Sequence, residues 1–307
     1  MTGTVPVRVG LALPHLPAED TISTLLDGMM EARIGPQRVE APWPPHPSRL
    51  WDASQFLLDR SSLYRSADEQ DQRAIVALCA RATLEEAYFI EKSGMAYAAK
   101  MVLLAESTEE RALYSLFGAD EATHLRAISA YLPDPHPASE DDPFLGLLSD
   151  IIENASRECS IFVIQVVLEG WGLTHYGDLA RACRSEGLRQ TLHAIVKDEA
   201  RHHGSGVAMA SGRRSARAKD EILEVLSRFL PMVQAGPQRV RAAIERATGG
   251  LTHPQRVQLM TELGTEAHSQ TRLELIERLM LKAGATDIAE PLQAKGAFRP
   301  MSAEEAA

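Results

Sequence analysis

Two Glu-x-x-His pairs are the features of this sequence that most directly suggest chemistry: Glu121 with His124, and Glu199 with His202. Residues three apart lie on one face of an α-helix, so the carboxylate and the imidazole of each pair can bind the same ion. Either pair alone would more commonly belong to a solvated helix surface. The residues that accompany the two pairs therefore decide between a surface and a metal site.

Both pairs belong to an internal repeat. An offset of 78 residues aligns two sets of segments: IEKSG (90–94) with LEGWG (168–172), and DEATH (120–124) with DEARH (198–202). In each copy a lone glutamate precedes the pair by 30 residues, and the serines at the expected turns, Ser107 and Ser185, also coincide. Such agreement is much less expected by chance than two unrelated matches, so we interpret six side chains as one set: Glu91, Glu121, His124, Glu169, Glu199 and His202.

Two helical hairpins would bring the four glutamates to one level. A capping-box pattern at Ser107 predicts a turn between two antiparallel helices. Glu91 lies about 16 residues before this turn and Glu121 about 14 after it, so at about 1.5 Å per residue they reach similar heights. A turn near residue 186 does the same for Glu169 and Glu199. Two hairpins related by a pseudo-twofold axis would supply one internal site.

This set predicts a site for two metal ions. Carboxylate oxygens with one imidazole per ion suit iron or manganese better than zinc, and ligand type alone does not choose between these two metals. We expect two irons, with a manganese–iron pair as the alternative. Burying four carboxylates without cations or protons would cost many kcal/mol. Glu86 is a rival for Glu91, but the repeat aligns Glu86 with Ile164, and this favours Glu91.

The motif resembles that of the ferritin-like di-iron carboxylate superfamily, over roughly residues 72–210. Within that superfamily, the second copy, DEARH, is similar to the DExRH signature of bacterial multicomponent monooxygenases and of the small subunit of ribonucleotide reductase. The first copy keeps Asp120 but has Thr123 in place of the arginine. The resemblance implies that Asp120 and Asp198 accept the ring N–H of a metal-binding histidine.

The resemblance implies a non-haem di-iron oxygenase or oxidase that activates O2, oxidises a small organic substrate and uses the six ligands as its catalytic residues. Neither a Gly-rich dinucleotide loop nor a cysteine set for an Fe–S cluster is present, so electrons would come from an external ferredoxin or reductase. Ile128 stands where a radical-generating reductase subunit has its tyrosine. The alternative is a ferritin-like metal-binding protein for iron storage or ferroxidase activity, without an organic substrate.

Several neighbours of the ligands have two interpretations. Gly94 and Gly172, each three residues after a ligand, either allow close helix packing or leave room beside the metals for dioxygen or substrate. His175 and Tyr176 are expected in the core, with cavity lining as the alternative. We expect three further polar residues on a solvated helix surface: Glu262, Glu266 and His268.

Helix formers and three- and four-residue apolar spacing predict an all-α fold, a ferritin-like four-helix bundle with a dimetal core. Four regions are expected: an irregular N-terminal arm (1–47) with one short helix near residues 21–33, the bundle (48–215), additional C-terminal helices packed on it (216–286), and a loose tail (287–307). Pro and Asp mark a linker at 134–143, and Gly187 is expected to separate two bundle helices. Two or three helices are expected over 220–284, punctuated by Pro231 among others.

Net charge and composition limit the kinds of partner and the cellular location that we expect for this chain. The 307 residues carry a net charge of −10, which disfavours a nucleic-acid partner. The three cysteines are far apart, so neither a disulfide framework nor a metal knuckle is predicted. No secretory signal or 18-residue apolar run is evident, and we expect a cytoplasmic protein without a membrane partner. A homodimer is compatible with the sequence.

Overall fold

The computed structural model of this protein describes residues 9–11, 13, 15–34, 46–137, 142–211 and 214–307. The regular elements in these ranges are helices, without a β-strand, which confirms the all-α class. The α-helices are α1 (Thr21–Ile34), α2 (Ser62–Ser66), α3 (Glu69–Leu104), α4 (Thr108–Ser129), α5 (Pro143–Asn154), α6 (Arg157–Ser160), α7 (Gly170–Ala182), α8 (Glu186–Ala210), α9 (Ala216–Gln234), α10 (Gln238–Thr248), α11 (His253–Glu262), α12 (Thr265–Lys282), α13 (Thr286–Ala294) and α14 (Ala303–Ala306). A π-helical segment, Ile161–Glu169, joins α6 to α7, and 3-10 turns occur at Pro47–Arg49, Ala53–Phe56 and Leu58–Arg60.

Two hairpins form the bundle. Helix α3 packs along α4, the π-helical segment and α7 pack along α8, and α4 contacts α8. The turn serines start the second helix of each hairpin: Ser107 Oγ accepts the backbone N–H of Glu110 at 3.1 Å, and Ser185 Oγ accepts that of Leu188 at 3.4 Å. The capping box at Ser107 is half formed, because Glu110 Oε2 accepts the backbone N–H of Glu106 instead.

One glutamine links the four bundle helices. Gln165, in the π-helical segment, is fully buried, and its Oε1 accepts hydrogen bonds from the hydroxyls of Tyr97 (2.8 Å) and Tyr114 (2.9 Å). Its Nε2 donates to the backbone carbonyl of His202 at 3.0 Å and to Ser205 Oγ at 3.2 Å. Both polar ends of the amide are therefore satisfied inside the core, as burial of a polar group requires.

The C-terminal helices share the core of the bundle. One cluster of buried apolar side chains combines Phe162 of the bundle with Phe229 of α9 and Met280 of α12. A second cluster includes Trp51, whose indole N–H donates to the carbonyl of Leu179 at 2.9 Å. Helices α9 and α12 also contact the π-helical segment directly. The helices after residue 215 thus form a wall around the bundle.

The structure corrects several boundaries. The expectation of a loose tail over 287–307 is wrong, since α13 buries Ile288 and Leu292 in the first core cluster. Pro231 lies inside α9 and does not end it. Gly187 lies in the first turn of α8, and the break falls before it, at 183–185. Four helices, α9 to α12, occupy 216–282, more than expected.

The short helix expected in the N-terminal arm is present as α1, and an ion pair between Arg33 and Asp120 (3.4 Å) joins it to α4. Other parts of the arm (1–8, 12, 14 and 35–45) and part of the predicted linker (138–141) lie outside the described residues. No disulfide joins the three cysteines, which are all buried. Among the described helices, none combines the length and apolar character that a bilayer crossing requires.

Candidate metal centre

The six predicted side chains converge between the two hairpins. Glu91, Glu121, His124 and Glu199 offer ligand atoms that lie within 4.8 Å of one another. Glu169, Glu199 and His202 form a second group of the same kind. Five of the six residues are buried and Glu169 is half-buried, and Glu199 belongs to both groups. This arrangement provides two adjacent ion positions that share a carboxylate.

The distances from the imidazoles assign the carboxylates to the two positions. His124 Nδ1 lies 3.2 Å from Glu91 Oε2, 3.8 Å from Glu121 Oε2 and 3.6 Å from Glu199 Oε1. His202 Nδ1 lies 3.4 Å from Glu121 Oε1 and 3.5 Å from Glu199 Oε1. Glu121 and Glu199 therefore stand between the imidazoles and can bridge two ions. Glu91 accompanies His124 alone.

Each histidine is oriented by an aspartate from the other copy of the repeat. His124 Nε2–H donates to Asp198 Oδ2 at 3.1 Å, and His202 Nε2–H donates to Asp120 Oδ2 at 3.4 Å. The hydrogen bond from His124 holds the pKa of Asp198 below its usual range, so this aspartate is an ionised acceptor. Holding the proton on Nε2 turns the Nδ1 lone pair toward the carboxylates, as in many metal-binding histidines.

Without cations, the cluster retains protons. Burial raises the pKa of Glu91 to about 8 despite its hydrogen bond from His124, and burial also raises the pKa of Glu169 well above its usual range. Burial alone would lower the pKa of His202, but contacts with Glu121 and Glu199 raise it to about 11. Protons thus offset part of the negative charge, a task that two divalent cations would perform more completely.

Two buried polar atoms without a hydrogen bond show whether metal ions fit the cluster. Glu169 Oε2 and His202 Nδ1 are both buried, and neither makes a hydrogen bond to the described residues. Buried polar atoms are rarely left without a partner, because the lost hydration is not recovered. Both atoms are electron-pair donors in the second ligand group, so a cation bound there would satisfy them together. The residues present fit two ions of the iron or manganese type.

Tyr176 is a member of this centre that sequence reasoning placed in the core. Its hydroxyl donates to Glu91 Oε1 at 2.5 Å, and burial raises the pKa of this tyrosine well above its usual range. The hydrogen bond occupies Oε1 and leaves Oε2, the oxygen nearer His124, for an ion. A sequence signal existed, because Tyr176 follows Glu169 by two helical turns and so lies on the same face.

The two repeat glycines have different roles. A Cβ atom at Gly94 would lie 2.6 Å from Glu121 Cδ, so this glycine makes room for the ligand carboxylate itself. A Cβ atom at Gly172 would meet nothing within 4 Å. Both glycines line the adjoining cavity, but only at Gly172 would an added Cβ atom find open space.

A cavity of about 930 Å³ adjoins the centre and reaches four of its carboxylates: Glu91, Glu121, Glu169 and Glu199. Helices of the bundle form one side, and α9, α10 and α12 contribute the other. Apolar and aromatic side chains dominate the walls, among them Ile90, Phe144, Leu168, Trp171 and Phe229. A cavity of this size and character suits a small organic molecule.

The cavity also changes the interpretation of polar residues for which the sequence predicts a surface or core position. His268 is not on a solvated surface: it lines the cavity, and burial, followed by the charge of Arg272, lowers its pKa to about 4. His175 lines the cavity too. Glu266 is exposed, as expected, and Glu262 is half-buried. Glu86 also lies in the cavity wall, where it forms an ion pair with Arg239, so Glu91 and not Glu86 belongs to the Glu/His cluster.

No protein-family model matches this chain, and neither the curated proteins nor the solved structures contain a significantly similar one. The features of this chain that suggest a function are the Glu/His cluster and the cavity beside it.

Proposed function

We propose that this chain is a non-haem di-iron oxygenase or oxidase, which uses O2 to oxidise a small organic molecule held in the cavity. One observation carries the proposal: a buried set of four glutamates and two histidines, arranged for two ions, opens onto an apolar cavity of about 930 Å³. The paired hairpins and ligand types are similar to those of the ferritin-like di-iron carboxylate superfamily, to which we assign the chain.

The charges of the cluster support two divalent ions. Four carboxylates carry the charge that two divalent cations neutralise, and each ion position has one imidazole. Iron and manganese accept this mixture of carboxylate and imidazole ligands, with iron as our assignment. Two ferrous ions bound here would supply the electrons and the binding sites that dioxygen needs to oxidise a nearby C–H or N–H bond.

The protein side chains prepare this site in three ways. Asp120 and Asp198 hold the Nε2 protons of the histidines, so that both Nδ1 atoms are free to bind ions. Tyr176 fixes the orientation of Glu91. The largely apolar walls would hold the apolar part of an organic substrate close to the ions.

The cavity favours this function over iron storage or simple ferroxidase activity, because those activities give no role to a large aromatic chamber beside the ions. Electrons would come from a separate ferredoxin or reductase. The sequence has neither a dinucleotide-binding loop nor the cysteine set of an Fe–S cluster.

Metal analysis tests the proposal first. Protein loaded with ferrous iron under anaerobic conditions should contain about two irons per chain by mass spectrometry. The double variant Glu199→Ala/His202→Ala should lose this iron. The matched control Glu274→Ala/His193→Ala, which removes an exposed Glu and an exposed His, should keep it. Loading of many irons per chain would favour storage, and equal iron in all three proteins would overturn the metal assignment.

Turnover is tested next with the iron-loaded protein. A chemical reductant and a panel of small organic molecules should give dioxygen consumption that depends on the organic molecule and yields an oxidised product. Dioxygen consumption that is the same with and without every organic molecule would contradict the oxygenase assignment.

A further inference from the structure

One arginine of the cavity lacks a counter-ion. Three arginines lie among the described lining residues: Arg181, Arg239 and Arg272. Arg181 pairs with Asp178 at 2.7 Å, and Arg239 pairs with Glu86 and with Asp142 at 3.1 Å. Within the described parts of the chain, no carboxylate is in ion-pair contact with Arg272. Its guanidinium lies 5.7 Å from the ring centre of Trp171. Burial lowers the pKa of Arg272, which remains a strong base and keeps its charge.

Two histidines beside Arg272 also lack hydrogen-bond partners for their side chains. The imidazoles of His175 and His268 line the same cavity and make no side-chain hydrogen bond to the described residues. Burial, followed by the charge of Arg272, lowers the pKa of each to about 4, so both rings are neutral near pH 7. Each neutral ring has one N–H donor. Arg272 and the two imidazoles therefore present unused hydrogen-bond donors with a total charge of +1.

The donor group and the Glu/His cluster share one cavity. Trp171 and His175 lie on α7, two and six residues after Glu169, and the rings of Trp171 and His175 are 6.4 Å apart. Six residues span about 9 Å along a helix axis, and Tyr176, next to His175, reaches back to Glu91 with its hydroxyl. A ligand that contacts both Arg272 and the cluster needs an anionic group and an apolar body that lies against Trp171.

The pattern of ion pairs favours an anion at the Arg272 end. Arg239 has two carboxylate partners, Glu86 and Asp142, and Arg181 pairs with Asp178, whereas Arg272 has no carboxylate at ion-pair distance among the described residues. The charge of Asp178 acts on Arg272 from beyond that distance and raises its pKa against the effect of burial. A planar guanidinium without a direct partner matches the two oxygens of a carboxylate.

We propose that the substrate is a small organic carboxylate, bound by Arg272 through its carboxylate group. Its apolar body lies against Trp171 and its far end faces the Glu/His cluster. The carboxylate contact stands on the geometry of the cavity alone, while the reaction at the far end rests on the proposed function. Arg272 sets the class of substrate and its direction in the cavity.

Binding of matched probes tests this inference without turnover. Isothermal titration calorimetry compares 4-phenylbutanoate with its neutral analogue 4-phenylbutanamide, using metal-free protein so that no ion can bind the carboxylate. We expect the acid to bind at least about tenfold more tightly than the amide, the size of one charged hydrogen-bond contact. Equal binding of acid and amide to the wild-type protein would overturn the inference, and this comparison needs no variant.

Variants then assign the preference to one residue. Arg272→Gln should remove the preference for the acid, and Arg272→Lys should restore part of it. Arg73→Gln, which removes a charge from the exposed face of α3, should leave the preference intact. Thermal melts verify that each variant is folded. A preference that survives in Arg272→Gln would assign carboxylate binding elsewhere and refute the inference.

Iron analysis of the same proteins separates this inference from the proposed function. Arg272→Gln should bind as much iron as the wild-type protein, because Arg272 contacts none of the six ligands. Iron at about two per chain without an acid preference would refute the carboxylate inference and leave the metal centre standing. A preference for the acid in a chain that binds no iron would refute the metal centre and leave the carboxylate inference standing.

Discussion

His124 and Asp198 lie in different copies of the repeat, yet the ring Nε2 of one is 3.1 Å from the carboxylate Oδ2 of the other. His202 makes the reciprocal contact with Asp120 at 3.4 Å. Each hairpin therefore orients the imidazole of its partner hairpin. Since the aspartate next to one cluster glutamate contacts the histidine of the other Glu-x-x-His pair, the two candidate ion positions depend on each other.

The crossed contact predicts the effect of Asp198→Asn. The amide keeps the shape of the side chain but loses the charge that holds the Nε2 proton of His124. Affinity for the ion at His124 should fall by about 10- to 100-fold, the usual effect of losing such a partner. Titration with Co²⁺, followed by its absorption spectrum, should show one weakened and one less affected site. Two unchanged sites would contradict the assigned role, and Asp220→Asn on α9 provides a matched control.

Tyr176→Phe tests the hydrogen bond to Glu91. Loss of the hydroxyl leaves Glu91 Oε1 buried without its donor, so the free energy of unfolding of the metal-free protein should fall by about 1–3 kcal/mol. Chemical denaturation measures this change. Tyr64→Phe is the control, because the Tyr64 hydroxyl makes no hydrogen bond to the described residues, and its effect should be smaller. Equal effects of the two substitutions would argue against a special role for Tyr176.

The repeat glycines provide a matched pair of substitutions. At Gly94 an added methyl group would lie 2.6 Å from Glu121 Cδ, so Gly94→Ala should displace this carboxylate and weaken iron binding by at least about tenfold. At Gly172 the methyl group meets nothing within 4 Å, and alanine favours a helix by up to about 1 kcal/mol. Gly172→Ala should therefore keep its iron and melt no lower than the wild-type protein. Iron analysis and thermal melts measure both, and full iron content in Gly94→Ala would refute the steric argument.

The metal-free protein should lose stability as the pH rises from about 4.5 to about 8. Burial raises the pKa of Glu91 from 4.5 to about 8, so the folded chain binds more protons than the unfolded chain within this window. The free energy of unfolding therefore falls with rising pH. Raised pKa values of Glu169 and His202 act in the same direction.

Thermal melts between pH 5 and 8 measure this slope, in buffers of constant ionic strength. Glu91→Gln should flatten it, because the amide cannot titrate. Bound iron should flatten it as well, since the ions replace the protons. A slope of opposite sign in the metal-free wild-type protein would contradict the assignment of buried protonated carboxylates.

The internal repeat allowed the six cluster residues to be predicted from the sequence. Equal spacing from the turn places the glutamates of each hairpin at the same height along the helices. The same reasoning separated Glu91 from Glu86. The sequence could not show which histidine each aspartate contacts. Asp120 and Asp198 could each reach either histidine, and the packing of α4 on α8 decides between them. Tyr176 was missed because an aromatic residue on a buried helix face is usually core.

The walls of the cavity were beyond sequence reasoning for a different reason. Phe229, Arg239 and Arg272 lie on three helices outside the repeat, so no spacing rule relates them to the cluster. His268 was placed at the surface because its own helix shows no ligand spacing. The tail was misjudged because its burial depends on contacts of α13 with α9 and α12, which no local pattern records.

The position of the C-terminal helices has a consequence for how this chain can change. The six cluster residues reside on α3, α4, the π-helical segment and α8, whereas much of the cavity wall comes from α9, α10 and α12, attached in part through the ion pair of Arg239 with Glu86. Substitutions in these outer helices can reshape the chamber without moving a ligand. In the proposed oxygenase, the ability to hold ions and the choice of what is oxidised could therefore be inherited, and altered, separately.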